Sequence, residues 1–356
     1  MVSLNYDENI LNTISHLYFI CSLVKVQKNN RTFTILVQPI SNKSIRQCHT
    51  KKMENKITSN SSFTSPPSVT SEYKSEFQKK GFSIIPSLIP KETCDILNER
   101  LEQVFLGNYS TGNNPDKAPV IKEKNRGVYR QQNHKTLQII NIWKSDNDFQ
   151  DVVLCSKLGE YVANLMGWSG ARVAQDQVWA KPPMSSALVF HRDSPYFDFE
   201  PADVLTVWIA LDNMDQEVGP LQYVYGSHEW ADFRSGSANQ FFSKSDNKDL
   251  LFDAALKSGQ DPKDLVFETV GVRAGGAGVH NGRTWHGSGK NESSTRPRRG
   301  IGIHFVPADA TFKEDLDEKF GKEGRGGMWK KLQDKYGGIL DLPDNDMPVT
   351  WKRKNL

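Results

Sequence analysis

A chain of 356 residues, 37% hydrophobic and 24% charged, has the mix of an ordinary globular protein and room for one large domain with extensions, or for two domains. A net charge of +3 gives no reason to expect nucleic acid as a partner. No apolar run reaches the roughly 18–20 residues that span a bilayer, and the best candidate, ISHLYFICSLV, is shorter and interrupted by His16.

The first part of the chain differs from the rest. After Asp7 and Glu8 no acidic residue appears until Glu54, while Lys25, Lys28, Arg31, Lys43, Arg46, Lys51 and Lys52 fall in between. A basic leader of this kind resembles an organelle-targeting segment, which would make the protein mitochondrial. Otherwise it reads as an unstructured tail on a cytoplasmic protein, or as an extension upstream of a start at Met53. TSNSSFTSPPSVTSE (58–72) has linker composition. The expected organisation is a leader and linker over 1–70 and one folded domain over 71–356. Cys21, Cys48, Cys94 and Cys155 are scattered, with no CxxC, which argues against a cysteine zinc site or a disulfide framework and fits an intracellular, reducing compartment.

Within the domain, SEYKSEFQKKGF predicts a short helix and FSIIPSLIP a short strand closed by Pro90. PKETCDILNERLEQVF predicts a helix with proline at its start and Cys94, Ile96, Leu97, Leu101 and Val104 at helical spacing. DFQDVVLCSKLGEYVANLMGW predicts another amphipathic helix. From about residue 171 short β-rich runs take over: ARVAQDQVWAK, SALVFHRD, DVLTVWIALD, GPLQYVYGS, LVFETVGV, GAGVHNGRTWHGSG and RRGIGIHFVPA. This pattern predicts a mainly β sandwich or barrel with helices buttressing one face. Strand alternation sharpens it. Leu205, Val207, Ile209 and Leu211 share one face with the parity of Arg299, Ile301, Ile303 and Phe305. Thr206, Trp208 and Ala210, with Arg298, Gly300, Gly302 and His304, share the other, as a ligand cavity requires.

Five histidines fall in this region: His191, His228, His280, His286 and His304. His191 and Asp193 are i and i+2 on an extended run, which predicts a common face. With one distant histidine they would make a three-point set suited to ferrous iron, leaving three positions open. Such a pair is common by chance. Its weight comes from RTWHGSGKNESSTRPRRGIGIHF, where His286 is followed twelve positions later by Arg298, a guanidinium able to grip a carboxylate with two hydrogen bonds. Arg299 has the parity of Ile301 and should face away, and Arg296, before Pro297, should lie outside the strand. His228 reads as a turn residue and His304 as a core histidine close to the cavity.

The stretches GFSIIPSLIP, AKPPMSSALVFHRDSPYFDFEPADVLTVWIALDNMD, GPLQYVYGSH and WHGSGKNESSTRPRRGIGIHFVPAD resemble, in order and spacing, the phytanoyl-CoA dioxygenase (PhyH) family of Fe(II)/2-oxoglutarate oxygenases, over about residues 75–312. The resemblance implies a double-stranded β-helix, the cupin-like jelly roll. It implies His191, Asp193 and His286 as iron ligands, Arg298 as the 2-oxoglutarate anchor with Ser288 beside it, Gln177 at a cosubstrate contact and Trp208 in the cavity wall. His286, in HGSG, fits the family's last ligand; His280, in HNGR, does not. Gly276 stands where members often carry an aspartate, which reads as a turn residue. Asp193 stands where related halogenases carry Gly or Ala, which leaves no position for chloride and favours hydroxylation.

Fe(II), 2-oxoglutarate and O2 are therefore the expected cofactor and cosubstrates, with succinate and CO2 as coproducts. The substrate would be a small molecule or an acyl-CoA. SPYFDFEPAD (194–203) brings aromatics and acids next to the iron pair, which would suit a cationic or zwitterionic substrate, or is a structural loop. The basic cluster KFGKEGRGGMWKKLQDKYGG reads as a solvated helix face. A non-catalytic ligand-binding protein on the same fold is the alternative function, and the sequence assigns no oligomeric state.

Overall fold

The computed structural model describes residues 66–119, 135–231, 248–314 and 327–354, together with the backbone of two N-terminal strands, β1 (Leu23–Asn29) and β2 (Thr32–Gln38), which pair antiparallel. The contacts divide the chain into two units, Met1–Lys56 and Ile57–Leu356. The rest of the expected leader, with Cys21, Cys48 and Met53, lies outside the described residues.

The second unit begins with α1 (Ser71–Lys80), whose Thr70 cap accepts a bond from the Tyr73 amide and whose Gly81 ends it at φ 84°, a left-handed conformation that favours glycine. There follow β3 (Phe82–Ile85), α2 (Lys91–Phe105), β4 (Leu137–Ile140), α3 (Asn147–Val153) and α4 (Ser156–Met166). The expected single helix over residues 148–168 is thus two. Asp146 caps α3 through the amides of Asp148 and Phe149, and Cys155 is extended, which lets Phe149, Val152 and Val153 of one helix and Leu158, Val162 and Leu165 of the other enter the same core.

The β region comprises β5 (Gly170–Lys181), β6 (Leu188–His191), β7 (Phe199–Glu200), β8 (Leu205–Ala210), β9 (Leu221–Val224), α5 (Asp249–Lys257), β10 (Phe267–Thr269), β11 (Ala277–Asn281), β12 (His286–Ser288), β13 (Arg298–Pro307), β14 (Thr311–Phe312), α6 (Gly327–Lys335) and β15 (Val349–Lys352). One sheet runs β15-β5-β13-β8-β11-β3 with β4 also on β5; the other runs β10-β9-β12-β6. All pairings are antiparallel. GAGVHNGRTWHGSG, expected as one β run, crosses between the sheets: β11 belongs to the larger and β12 to the smaller. Gly276, at the aspartate position of the family pattern, is tightly enclosed, since a Cβ there would lie 2.8 Å from the Pro86 carbonyl oxygen.

The two faces of the large sheet follow the predicted parity. Leu205, Val207, Ile209, Ile301, Ile303 and Phe305 join Leu97, Leu101, Phe149 and Val162 in the main core, so helices α2–α4 cover that face. Each such side chain, fully buried, contributes roughly 1.5–3 kcal/mol. Arg299, as expected, turns outward to Asp212 at 2.7 Å, and Arg296 lies outside the strand, paired with Asp215 at 2.7 Å and with Glu217. The opposite face is open to a cavity. Two rows of cross-strand neighbours line it: His280, Thr206, His304 and Gln175 in one, Gly278, Trp208, Gly302 and Gln177 in the next. The glycines clear space for the aromatic rings. A Cβ on Gly300 would fall 2.3 Å from Trp208 Cζ2, and one on Gly278 would fall 2.3 Å from the Tyr223 hydroxyl. We expect Gly300→Ala to destabilise the fold by about 1–3 kcal/mol, as overpacking does. A thermal melt with an unchanged Tm would contradict this account of the cavity wall.

Candidate active site

The cavity has a volume of about 320 Å³ and takes its walls from both sheets. His191, Asp193 and His286 meet in it, their ligand atoms all within 4.8 Å of one another. His191 and His286 are direct partners across β6 and β12, with ring centroids 4.2 Å apart. The i, i+2 argument predicted the pairing of His191 with Asp193 but not its geometry. β6 ends at His191, and Asp193 has helical angles (φ −80°, ψ −44°) at the start of a short 3-10 turn. That turn is anchored by the amides of Asp193 and Ser194, which both donate to the Gly282 carbonyl at 2.8 Å.

Hydrogen bonds fix the presentation of each group. Nδ1 of His191 donates to the Val189 carbonyl (2.8 Å) and Nδ1 of His286 to the Thr284 carbonyl (2.9 Å), so each imidazole keeps its lone pair on Nε2. These two Nε2 atoms stand 3.8 and 3.6 Å from Asp193 Oδ1. Oδ2 is held separately, by the Thr206 hydroxyl at 2.6 Å and His280 Nε2 at 3.0 Å. Thr206 in turn accepts from His304 Nδ1 at 2.8 Å, and the Tyr223 hydroxyl donates to His280 Nδ1 at 3.0 Å. Burial alone would push the Asp193 carboxyl up, but His286, His304 and His280 hold it well below the usual carboxylate range. Burial, then the neighbouring His286, lowers His191 to about 3 and His280 to about 4, so these imidazoles are neutral at pH 7. Two lone pairs and a carboxylate oxygen converging in this way form a donor set suited to a divalent metal.

His280 and His304 therefore take part in holding the carboxylate, a role the sequence assigned to neither, although parity puts His304 on the cavity face. His280 is not an alternative to His286; its ring lies 4.3 Å from that of His286 and bonds the shared carboxylate. His304 is buried, as expected of a core residue, but it lines the cavity. Cross-strand register links both to Thr206, a signal visible only once the strand pairing is known. His228 sits in a turn and bonds the Gln78 carbonyl, as its expected role requires.

The model of the family described as Phytanoyl-CoA dioxygenase (PhyH) matches residues 77–300. The chain belongs to this family. That makes it an enzyme of the iron- and 2-oxoglutarate-dependent dioxygenases, as the resemblance implied. The chain is 25% identical over 245 residues to the "Probable alpha-ketoglutarate-dependent hypophosphite dioxygenase" of Stutzerimonas stutzeri, covering 67% of this chain and 79% of that one. It is 29% identical over 166 residues to the "Phytanoyl-CoA dioxygenase domain-containing protein 1 homolog" of Caenorhabditis elegans, covering 45% of this chain and 55% of the other. Among solved structures, the non-heme alpha ketoglutarate dependent carbocyclase SnoK from nogalamycin biosynthesis superposes with a TM-score of 0.56 at 21% identity, over 79% of this chain and 96% of SnoK. The last likeness is one of fold, the jelly roll.

A PhyH-family cavity must also receive the dianion 2-oxoglutarate, and the residues present fit it. Arg298 is 2% exposed and lines the cavity, with its guanidinium carbon 4.9 Å from the Trp208 ring centre. Its Nε and Nη2 meet no partner among the described residues, an arrangement that costs free energy until an acceptor arrives. Gln177 and Trp208 line the same cavity. Ser288 is fully buried but stands behind the wall, where its hydroxyl accepts from Lys181 Nζ at 3.4 Å. Lys181, to which the sequence assigned no role, is 1% exposed, pairs in register with Arg298 and donates to the Gly289 carbonyl. Burial, then the Arg298 charge, lowers its amine to about 6.

Two outcomes follow. Thr206→Val removes one of the bonds to Asp193 Oδ2 and is expected to weaken Fe(II) binding roughly 10–100-fold by anaerobic calorimetry; undiminished affinity would show that the hydroxyl does not position the carboxylate. Lys181 is neutral in the folded protein above pH ~6 but charged in the unfolded chain up to its ordinary value near 10.4. Folded stability from this group therefore rises with pH across that window. A bound carboxylate dianion reverses the penalty, so at pH 8 2-oxoglutarate binding should take up a proton. The uptake, measured by calorimetry in buffers of different ionisation enthalpy, should vanish in Lys181→Met.

Proposed function

We propose that this protein hydroxylates an aliphatic carbon of a small molecule, with His191, Asp193 and His286 holding Fe(II) and Arg298 holding the far carboxylate of 2-oxoglutarate. The reading is carried by one observation: both imidazole Nε2 lone pairs face the same Asp193 oxygen while the other oxygen is bonded away from them. The bound metal supplies oxygen activation, and the balance is substrate C–H, O2 and 2-oxoglutarate giving C–OH, succinate and CO2. The protein's own groups provide the geometry. Thr206 and His280 hold Asp193 so that one oxygen is presented to the metal. Arg298, backed by Trp208 and accompanied by Lys181, orients the cosubstrate by charge at one end. Gln177 lies along the cosubstrate's path. The intact Asp193 carboxylate favours hydroxylation over halogenation.

A cavity of about 320 Å³ among the described residues, which also receives 2-oxoglutarate, favours a small molecule over an acyl-CoA as the substrate. The cationic-substrate reading of residues 194–203 has lost its acids. Phe197 and Phe199 pack on Trp329, Asp203 bonds the Trp168 indole, and none of Asp198, Glu200 or Asp203 lines the cavity. Aerobic incubation with Fe(II) and 2-oxoglutarate should release succinate, and a mass-spectrometric screen should find a +16 product. His191→Ala and Asp193→Ala should each abolish succinate release, and Arg298→Met should raise KM for 2-oxoglutarate roughly 10–100-fold, the worth of a charge-assisted pair. Turnover indifferent to His191 and Asp193 would refute the ligand assignment, and a protein that binds no iron would be a non-catalytic ligand-binding relative.

A further inference from the structure

We propose that the substrate carries an anionic group, received by Lys117 and Lys331 in a lysine-lined vestibule that adjoins the catalytic cavity. This inference rests on the oxygenase reading of the site and adds the chemical class of its substrate. The vestibule is a second cavity of about 440 Å³. It shares Lys117, Ile140, Gln175, Met328 and Trp329 with the first, so the two adjoin along that wall.

Its outer side is built by α6. Met328, Lys331, Leu332 and Lys335 are spaced i, i+3, i+4, i+7 and all line the vestibule, whereas Lys330 points elsewhere and pairs with Asp334 at 2.5 Å. Of the basic cluster expected as a solvated helix face, Lys319, Lys322 and Arg325 lie outside the described residues, and Lys331 and Lys335 are exposed as expected while also bordering the vestibule.

Four lysines, Lys117, Lys144, Lys331 and Lys335, line this space against two acids, Asp116 and Asp346. Both acids are already engaged. Asp116 accepts from Lys144 at 2.9 Å and from Asn141 at 2.6 Å. Asp346 accepts from Lys144 and Lys335, each at 2.7 Å, and from the Tyr336 hydroxyl at 2.8 Å. Lys144 and Lys335 are thereby neutralised in place. The Lys117 ammonium donates to the Gln138 side-chain carbonyl at 3.3 Å, and neither it nor Lys331 has an acidic partner among the described residues.

Beyond Lys117 the path to the metal site is polar but uncharged. Gln138 donates to Gln177 at 3.0 Å and Gln177 to Gln175 at 2.5 Å, a row of amides along the cavity floor. Among the described residues that line the catalytic cavity, Asp193 is the only carboxylate and is already given to the metal, and Arg298 is given to the cosubstrate. Among the described residues, an entering anion finds two lysines without an acidic partner and two acids already paired with other lysines, an arrangement that favours anions over cations. The group recognised is a carboxylate or a phosphoryl oxyanion.

The test uses the full chain loaded anaerobically with Fe(II) and 2-oxoglutarate, titrated at low ionic strength with inorganic phosphate, acetate or choline by calorimetry. Phosphate or acetate should bind and choline should not. Lys117→Gln combined with Lys331→Gln should weaken anion binding by about tenfold or more, and the Lys→Arg pair should retain it. The tighter of the two anions identifies the head group. Anion binding indifferent to the double substitution, or choline binding as well as the anions, overturns the proposal. The visible charge-transfer band of the iron–2-oxoglutarate complex, recorded on the unsubstituted protein, separates the two failures. If the band is absent, the oxygenase reading falls; if it is present without lysine-dependent anion binding, the vestibule proposal alone falls.

Discussion

Burying a carboxylate is expensive unless its oxygens are bonded and its charge is answered, and Asp193 meets both demands by dividing its two oxygens between different tasks. Oδ2 takes the Thr206 hydroxyl and the His280 imidazole; Oδ1 looks toward two histidine lone pairs. The surrounding architecture serves that division. β8 and β11 supply Thr206 and His280 as cross-strand neighbours, the Gly282 carbonyl pins the turn carrying Asp193, and the chain then passes from one sheet to the other within four residues to bring His286 opposite His191. A carboxylate so arranged is short of one positive charge, and a divalent ion is the natural complement.

A second electrostatic debt lies at the other end of the cavity. Arg298 and Lys181 are buried side by side in register, where the guanidinium charge is incompletely answered within the chain and helps hold the neighbouring amine neutral. Trp208 supports the guanidinium, and Gly300 makes room for the indole. The two ends demand opposite things, a cation among the histidines and an anion beside the arginine. On the proposed reading, a chelating 2-oxo acid bound to a metal would answer both.

Much of this was legible beforehand because strand alternation is local. The aliphatic parity of Leu205, Val207 and Ile209, matched by Ile301 and Ile303, predicted which face meets the helices, and the same alternation assigned Arg298 inward and Arg299 outward. The reading failed where geometry is set by neighbours. Asp193 was placed on a strand but lies on a helical turn held by a carbonyl 89 positions later. One amphipathic stretch became two helices because the chain is extended at Cys155, between Val153 and Ser156. Residues 194–203 follow the structural-loop alternative: Phe197 and Phe199 pack with Trp329, and the acids do not line the cavity.

The sequence by itself determined the chemical inventory and the periodicity: a His-x-Asp pair, a later histidine, an arginine of inward parity, and β runs with one aliphatic face. These depend only on residue type and on the two-residue repeat of an extended chain. Tertiary structure alone decided the partners of each buried charge. That His280 and His304 both reach Thr206, that Lys181 lies beside Arg298, and that Lys331 turns toward a cavity while Lys330 does not, all follow from strand register and helix rotation. Register and rotation minimise the free energy of the whole packed core, so no single segment of the chain contains them.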